Sequence, residues 1–254
     1  MKKKVLIIGG GASGLMAAIM AAREGAEVTI LEHMDRVGKK ILSTGNGRCN
    51  LTNLSLKPEH YRSSQKLFPM KVLDRFSVWD TLNFFDGIGI VTKNRNGYIY
   101  PNSDQAASVL DALRFETEHL GIQTVLSCHI KKAWKAKNGM FTVESDQGLF
   151  QGNSLILAAG SKAAPVSGSD GSGYELAAAL GHRLIEPLPA LTALKCKNTG
   201  FSGWAGVRTE GRITLLVDGK KVTEETGELQ LTDYGVSGIP VFQVSRYGIR
   251  ALKQ

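Results

Sequence analysis

The chain has 254 residues, 43% hydrophobic and 21% charged, with a net charge of +8. That is enough for one large domain, or one domain and part of another, and the apolar content excludes a disordered chain. No run approaches the ~18 apolar residues of a membrane span, and three cysteines without a CxxC pair exclude a disulfide framework. The expectation is therefore a soluble, cytoplasmic protein with no membrane partner. The positive balance suits an anionic ligand, a nucleotide cofactor or RNA, and equally a plain solubilising surface. Glycine is frequent, 29 residues, as in chains with many tight turns or close approaches of backbone to ligand.

The N-terminus "MKKKVLIIGGG" starts like a signal peptide, but glycines interrupt the apolar region. Its "KKVLIIGGG" reads as a buried parallel strand. "SGLMAAIMAAREGA" has helical spacing and closes at Gly25, and "EVTILE" is a second strand. Together they form a βαβ unit. Residues 65–100 read as one or two helices followed by short strands. "SDQAASVLDALRFETEHLG" is an amphipathic helix with Ser103 as its N-cap. "IQTVLSCH…" through "SLILAAG" reads as a strand, a three-strand meander turning at "KNG" and "SDQG", and a buried strand ending at Gly160. A second glycine-rich turn, "GSDGSGYELAAALGH", opens another helix. From Pro187 the texture turns β-rich, in "PLPALTALKCKN", "RTEGRITLLVDGKKV" and "GELQLTDYG". The expected domains are residues 1–187 and 188–254.

"GGGASG" sets Gly9, Gly11 and Gly14 as G-x-G-x-x-G, after a strand and at the start of a helix. Eighteen residues after Gly14, Glu32 ends the next strand, near the ~20 expected of a dinucleotide fingerprint. Gly9 permits the turn, Gly11 lets backbone approach a pyrophosphate, and Gly14 lets helix pack on strand. The helix N-terminus at Ala12 and Ser13 offers N–H groups to phosphate. Glu32 accepts from a ribose diol and repels a 2′-phosphate, which argues against NADP here.

Three features point to FAD: a first βαβ unit at the N-terminus, the strand "SLILAAG" followed by "SKAAP", and the meander between helix and strand. This order resembles the FAD domain of glutathione-reductase-like flavoproteins. The stretch "GKKILSTGNGRCNLTN", with "GYIYPNSDQAASVLDAL", "AAGSKAAPVSGSDGSGYELAAALGH" and "LTDYGVSG", closely resembles the HI0933-like, bile-acid-reductase-like NAD(P)/FAD-dependent oxidoreductases, a group that includes aminoacetone-oxidase-like enzymes. The likeness covers essentially the whole chain.

The resemblance implies an α/β fold: a Rossmann-like FAD-binding domain of glutathione-reductase type with a three-strand β-meander, then the start of a β-rich, barrel-like second domain. It implies that residues 38–53 run along FAD near the pyrophosphate, ribityl chain and isoalloxazine. Lys39, Lys40 and Arg48 would neutralise phosphate or an anionic reduced flavin. Gly45 and Gly47 would give close backbone approach, and Asn46, Asn50 and Thr52 would bond ribityl hydroxyls or ring edges. By the same likeness the backbone of Ile130 meets adenine, and Ala159 and Gly160 lie near the cofactor. Cys49, within the same stretch, is read mainly as a packing residue, with a redox thiol as the lesser reading.

Two departures stand out. The family's threonine and second glycine after the "LILA" strand are replaced by "AAGS". No late strand followed by Gly and an acid at a helix start closes the FAD site, and the chain stops in helical texture at "SRYGIRALKQ". The expectation is a chain truncated at its C-terminus.

No histidine pair has ligand spacing, so no metal is expected. Ser13 is not in a nucleophile elbow. "KKAWKAKNG" reads as a solvated strand edge rather than a nucleic-acid contact. The implied function is an FAD-dependent oxidoreductase passing hydride between flavin and a small-molecule substrate, with NAD(P)H as a candidate electron donor. Two alternatives stay open: an RNA-binding flavoprotein reducing uridine in ribosomal RNA, and a truncated, inactive FAD-binding fragment. Catalytic residues and oligomeric state remain unassigned.

Overall fold

The computed structural model describes residues 2–63, 65, 67–163, 165–197 and 203–253. The stretches quoted above also reach residues 1, 66, 164, 198 and 254, which lie outside the described residues. By its internal contacts the chain divides into two compact units, Met1–Leu184 and Ile185–Gln254.

The first unit opens with β1 (Lys4–Ile8), α1 (Ala12–Arg23) and β2 (Glu27–Leu31). α1 closes through Gly25 N–H to Ala22 and Ala26 N–H to Ala21, a Schellman pair. Next come β3 (Thr52–Asn53), α2 (Phe68–Leu73), α3 (Val78–Gly87), and the hairpin β4 (Thr92–Arg95) and β5 (Tyr98–Pro101). Ser77 caps α3 reciprocally with Asp80. Then follow α4 (Ala106–His119), β6 (Gln123–Val125), the meander β7 (Ile130–Lys135), β8 (Phe141–Ser145) and β9 (Gly148–Gly152), then β10 (Ser154–Leu157) and α5 (Ser172–Ala179).

The central sheet is parallel, in the order β10-β1-β2-β6. Successive β1 residues point to opposite faces. Val5 and Ile7 join a core with α1, α4 and β2, while Leu6 and Ile8 join a second core with Ala133, Val143 and Leu176 from the meander and α5. Helices thus cover one face, and the antiparallel meander β7-β8-β9 with α5 covers the other. Ile7, Ile30, Leu15 and Ile19 are fully buried, each contributing roughly 1.5–3 kcal/mol of burial energy. On α4, Val109, Leu110, Leu113 and Thr117 form the buried stripe, and Arg23 bonds Glu116 at 2.8 Å across to α1. This is the α/β Rossmann-like architecture expected.

Two local expectations are corrected. α4 is capped at Gln105, not Ser103. Asp104 has φ 55°, which no helix contains, so the helix begins only after it. Ser103 instead accepts the Gln105 N–H at 3.3 Å. The strand before "AAGS", expected to be buried, is only partly so and ends at Leu157, three residues before Gly160.

The second unit contains β11 (Leu194–Lys195), β12 (Arg208–Val217), β13 (Lys220–Thr232), β14 (Gly235–Gly238) and α6 (Ile239–Lys253). Its strands form one antiparallel sheet in linear order β11-β14-β13-β12. α6 packs on β12 and β13 and buries Val241, Val244 and Ser245. The β structure expected over "PLPALTALKCKN" shrinks, among the described residues, to Leu194–Lys195. Among the described residues no helix is long and apolar enough to cross a membrane.

Candidate functional site

The three fingerprint glycines differ in why they are glycine. A Cβ on Gly9 would lie 2.5 Å from the Ala158 carbonyl oxygen, and one on Gly14 would lie 1.9 Å from the Gly9 oxygen. Both are required by the chain's own packing. Gly11 has ordinary angles, φ −76° and ψ −172°, and a Cβ there would meet nothing within 4 Å. As the N-cap of α1, Gly11 stands where glycine is favoured but not required, and no packing contact in the described chain demands it. Space has been left beside the start of α1. The first turn of α1 has no side-chain cap and no acidic residue, so its N–H groups and partial positive charge face that space.

Glu32 is buried, its side chain 8% exposed. Its carboxylate accepts the Gly10 N–H at 2.6 Å and the Met34 N–H at 2.8 Å, and His33 Nδ1 lies 3.2 Å away. It therefore holds the glycine turn from behind, a role the spacing argument did not include. A carboxylate has about four acceptor sites, so capacity for a diol remains.

A cavity of about 290 Å³ gathers Gly9, Gly11, Ala12, Ser13, Glu32, Lys39, Lys40, Ala159 and Gly160 from the predicted set. It also takes in residues the sequence reading missed, among them Arg36, Thr44 and Ser169. Lys40 Nζ donates to Ser169 Oγ at 3.2 Å, tying the stretch over residues 38–53 to the second glycine-rich turn. Lys39 Nζ lies 3.9 Å from Asp35. A second cavity, about 630 Å³, lies beside β7 and α5 and includes Ile130. The two share Gly9, His33 and Ala159. A long ligand could lie through both. The missed Ser169 and Asp170 stand in "GSDGSG", whose glycine density was the available signal.

The rest of the predicted set lies elsewhere. Gly14 is buried beneath the turn, and Asn46, Gly47, Arg48, Asn50 and Thr52 line neither cavity. Asn50 donates its amide to the carbonyls of Ile99 at 3.0 Å and Thr52 at 3.3 Å. Only its side-chain oxygen remains for a ligand. Thr52 pairs with Ile99 in the β3–β5 ladder. Cys49 is buried in the helix-side core, and burial pushes its thiol pKa up despite a bond with Thr44. That environment suits packing rather than a reactive thiolate. Asn46 and Cys49 both take positive φ, 55° and 59°, so this loop is folded tightly against the hairpin. Among the described residues no group of three His, Cys, Asp or Glu could hold a metal ion.

Comparison with known proteins places the chain in a family. A 3-dehydro-bile acid delta(4,6)-reductase of Clostridium scindens is 46% identical over 251 residues, 98% of this chain and 61% of that protein. Ribosomal RNA dihydrouridine synthases of Haemophilus influenzae and Escherichia coli are each 29% identical, over 95% of this chain and 61% and 60% of theirs. The chain thus spans about three-fifths of the length of these relatives. The model of the HI0933-like protein Rossmann domain matches residues 3–246, and the chain belongs to that family.

Proposed function

We propose that this chain binds FAD through the two joined cavities and belongs to a flavin-dependent oxidoreductase acting on a small molecule. The observation that carries the reading is the open space beside Gly11, where a side chain would meet no atom of the described protein within 4 Å, at the uncapped start of α1. The residues fit the group. Ala12 and Ser13 would offer N–H groups to the pyrophosphate, with Lys39 and Lys40 balancing its charge. Glu32 would accept from the ribose diol, and the backbone of Ile130 would meet adenine. Ala159 and Gly160 would line the cofactor, and the Asn46–Thr52 loop, with Arg48, would lie toward the ribityl and ring end. When bound, FAD supplies two-electron redox chemistry. The chain's own part is to orient that group and hold cationic and amide groups near it. The relative named as a reductase supports reduction as the direction, and NAD(P)H is the proposed electron donor. Residues 1–187 would be the nucleotide domain, 188–254 would belong to a β-rich substrate domain, and the protein would act in the cytoplasm.

Titration of FAD fluorescence tests this. The purified chain should quench FAD saturably, and NADP should not displace FAD, because Glu32 opposes a 2′-phosphate in this site. Failure to take up FAD refutes the reading. A second reading rests on the net charge of +8 and the two relatives named as ribosomal RNA dihydrouridine synthases: a flavoprotein acting on RNA. It requires RNA binding that weakens steeply with salt.

A further inference from the structure

The hairpin β4–β5 presents two unlike faces. Ile99 and Pro101 are buried. On the other face Lys93 pairs with Tyr100 and Arg95 with Tyr98 in the ladder, so two cations stand beside two phenol rings. Tyr98 is 53% exposed. Lys93 Nζ and an Arg95 guanidinium nitrogen converge on a single oxygen, Asp104 Oδ2, each at 2.5 Å. Asp104 Oδ1 is buried and has no partner among the described residues. Arg95 sits 5.8 Å from the centre of the Tyr100 ring, and that ring lies 3.4 Å from where a Gly45 side chain would begin. The cluster therefore abuts the Gly45–Asn50 loop. Arg48, on that loop, is exposed and its guanidinium bonds no described residue, yet its charge is felt at Asp104.

One carboxylate thus pairs with two cations, and a third, Arg48, stands on the adjoining loop. A network serving only the hairpin would gain nothing from uncompensated positive charge, because like charges repel. The surplus, set beside flat aromatic surface, has the chemistry of a receptor for an anion carried on an apolar body. We propose that Arg48, Lys93 and Arg95, with Tyr98 and Tyr100, bind the oxyanion end, a carboxylate or a phosphate, of a small substrate whose body offers the rings an apolar or flat face. The anion preference stands on the cluster alone; naming its ligand the substrate rests on the redox reading above. A face of one short hairpin favours a small molecule over a nucleic-acid strand.

The test compares two pairs of ligands that differ only in charge: cholate with cholamide, and uridine monophosphate with uridine. Binding is measured by calorimetry on the full chain. The charged member of one pair should bind about tenfold more tightly, the scale of a charge-assisted contact, and which pair responds identifies carboxylate or phosphate. Arg95→Gln should erase that preference while FAD content stays at the wild-type level. Asp104→Asn should strengthen it, a direction that misfolding cannot imitate. No discrimination in either pair, discrimination that survives Arg95→Gln, loss of FAD together with it, or preference for an oligonucleotide over all four compounds would overturn the proposal. Discrimination without any FAD uptake would sink the redox reading and leave the anion site standing.

Discussion

Replacing Gly11 and Gly14 by alanine, one at a time, should separate ligand recognition from folding. At Gly14 the new Cβ would sit 1.9 Å from the Gly9 oxygen, 3.0 Å from the Gly9 carbonyl carbon and 3.4 Å from the Ala158 Cβ. The turn must open by more than about an ångström, an overpacking cost of roughly 1–3 kcal/mol. For a chain of this size that lowers Tm by about 2–4 °C per kcal/mol. At Gly11 the backbone angles suit alanine and no atom lies within 4 Å, so stability should fall by no more than about 1 kcal/mol, the loss of a glycine N-cap. The same methyl would occupy the approach to α1, and FAD affinity should fall by about tenfold to a hundredfold. Thermal melting of cofactor-free protein and FAD fluorescence titration read the two effects. If Gly11→Ala binds FAD like wild type, or melts as low as Gly14→Ala, the reasoning from open space to ligand is wrong.

Glu32→Ala leaves the Gly10 and Met34 N–H donors without acceptors. It should cost about 2–5 kcal/mol even without cofactor, seen as a lower urea midpoint with unchanged m; a shift under about 0.5 kcal/mol would mean the carboxylate serves only a ligand. Burial raises the thiol pKa of Cys49 and of Cys128. Both should stay protonated to higher pH than an ordinary thiol, so alkylation of native protein should reach the less buried Cys196 first; prompt labelling of Cys49 would revive its redox role. Hydrogen bonds from Thr214 and Lys221 hold the Glu224 carboxyl down to about 2. A lowered carboxylate pKa stabilises above the unfolded value, and that contribution fades as pH falls from about 4.5 toward about 2. Thr214→Val should raise the value measured by NMR titration, and an unmoved titration would remove this bond from the account.

The parts legible in the sequence were those encoded at short range. The βαβ unit follows from apolar runs broken by glycine, and the Gly9–Glu32 spacing predicted a turn and an acid that the structure sets against each other at Gly10. The meander was legible from its turn residues. What escaped depends on partners far apart in the chain. Nothing local in "RCN" says that Asn50 will bond Ile99, and nothing in "SDGSG" says that Ser169 will meet Lys40, 129 residues away. Ser103 looked like a cap because it precedes an apolar stripe. Lys93 and Arg95 reach from the hairpin to Asp104, which takes a left-handed conformation, and the helix starts two residues later than a Ser103 cap would require.

The most direct test of the FAD reading is the visible absorption spectrum of the purified chain, with the released cofactor identified after denaturation. The account predicts a flavin spectrum and FAD at one molecule per chain. A colourless protein that also fails to take up added FAD would contradict it.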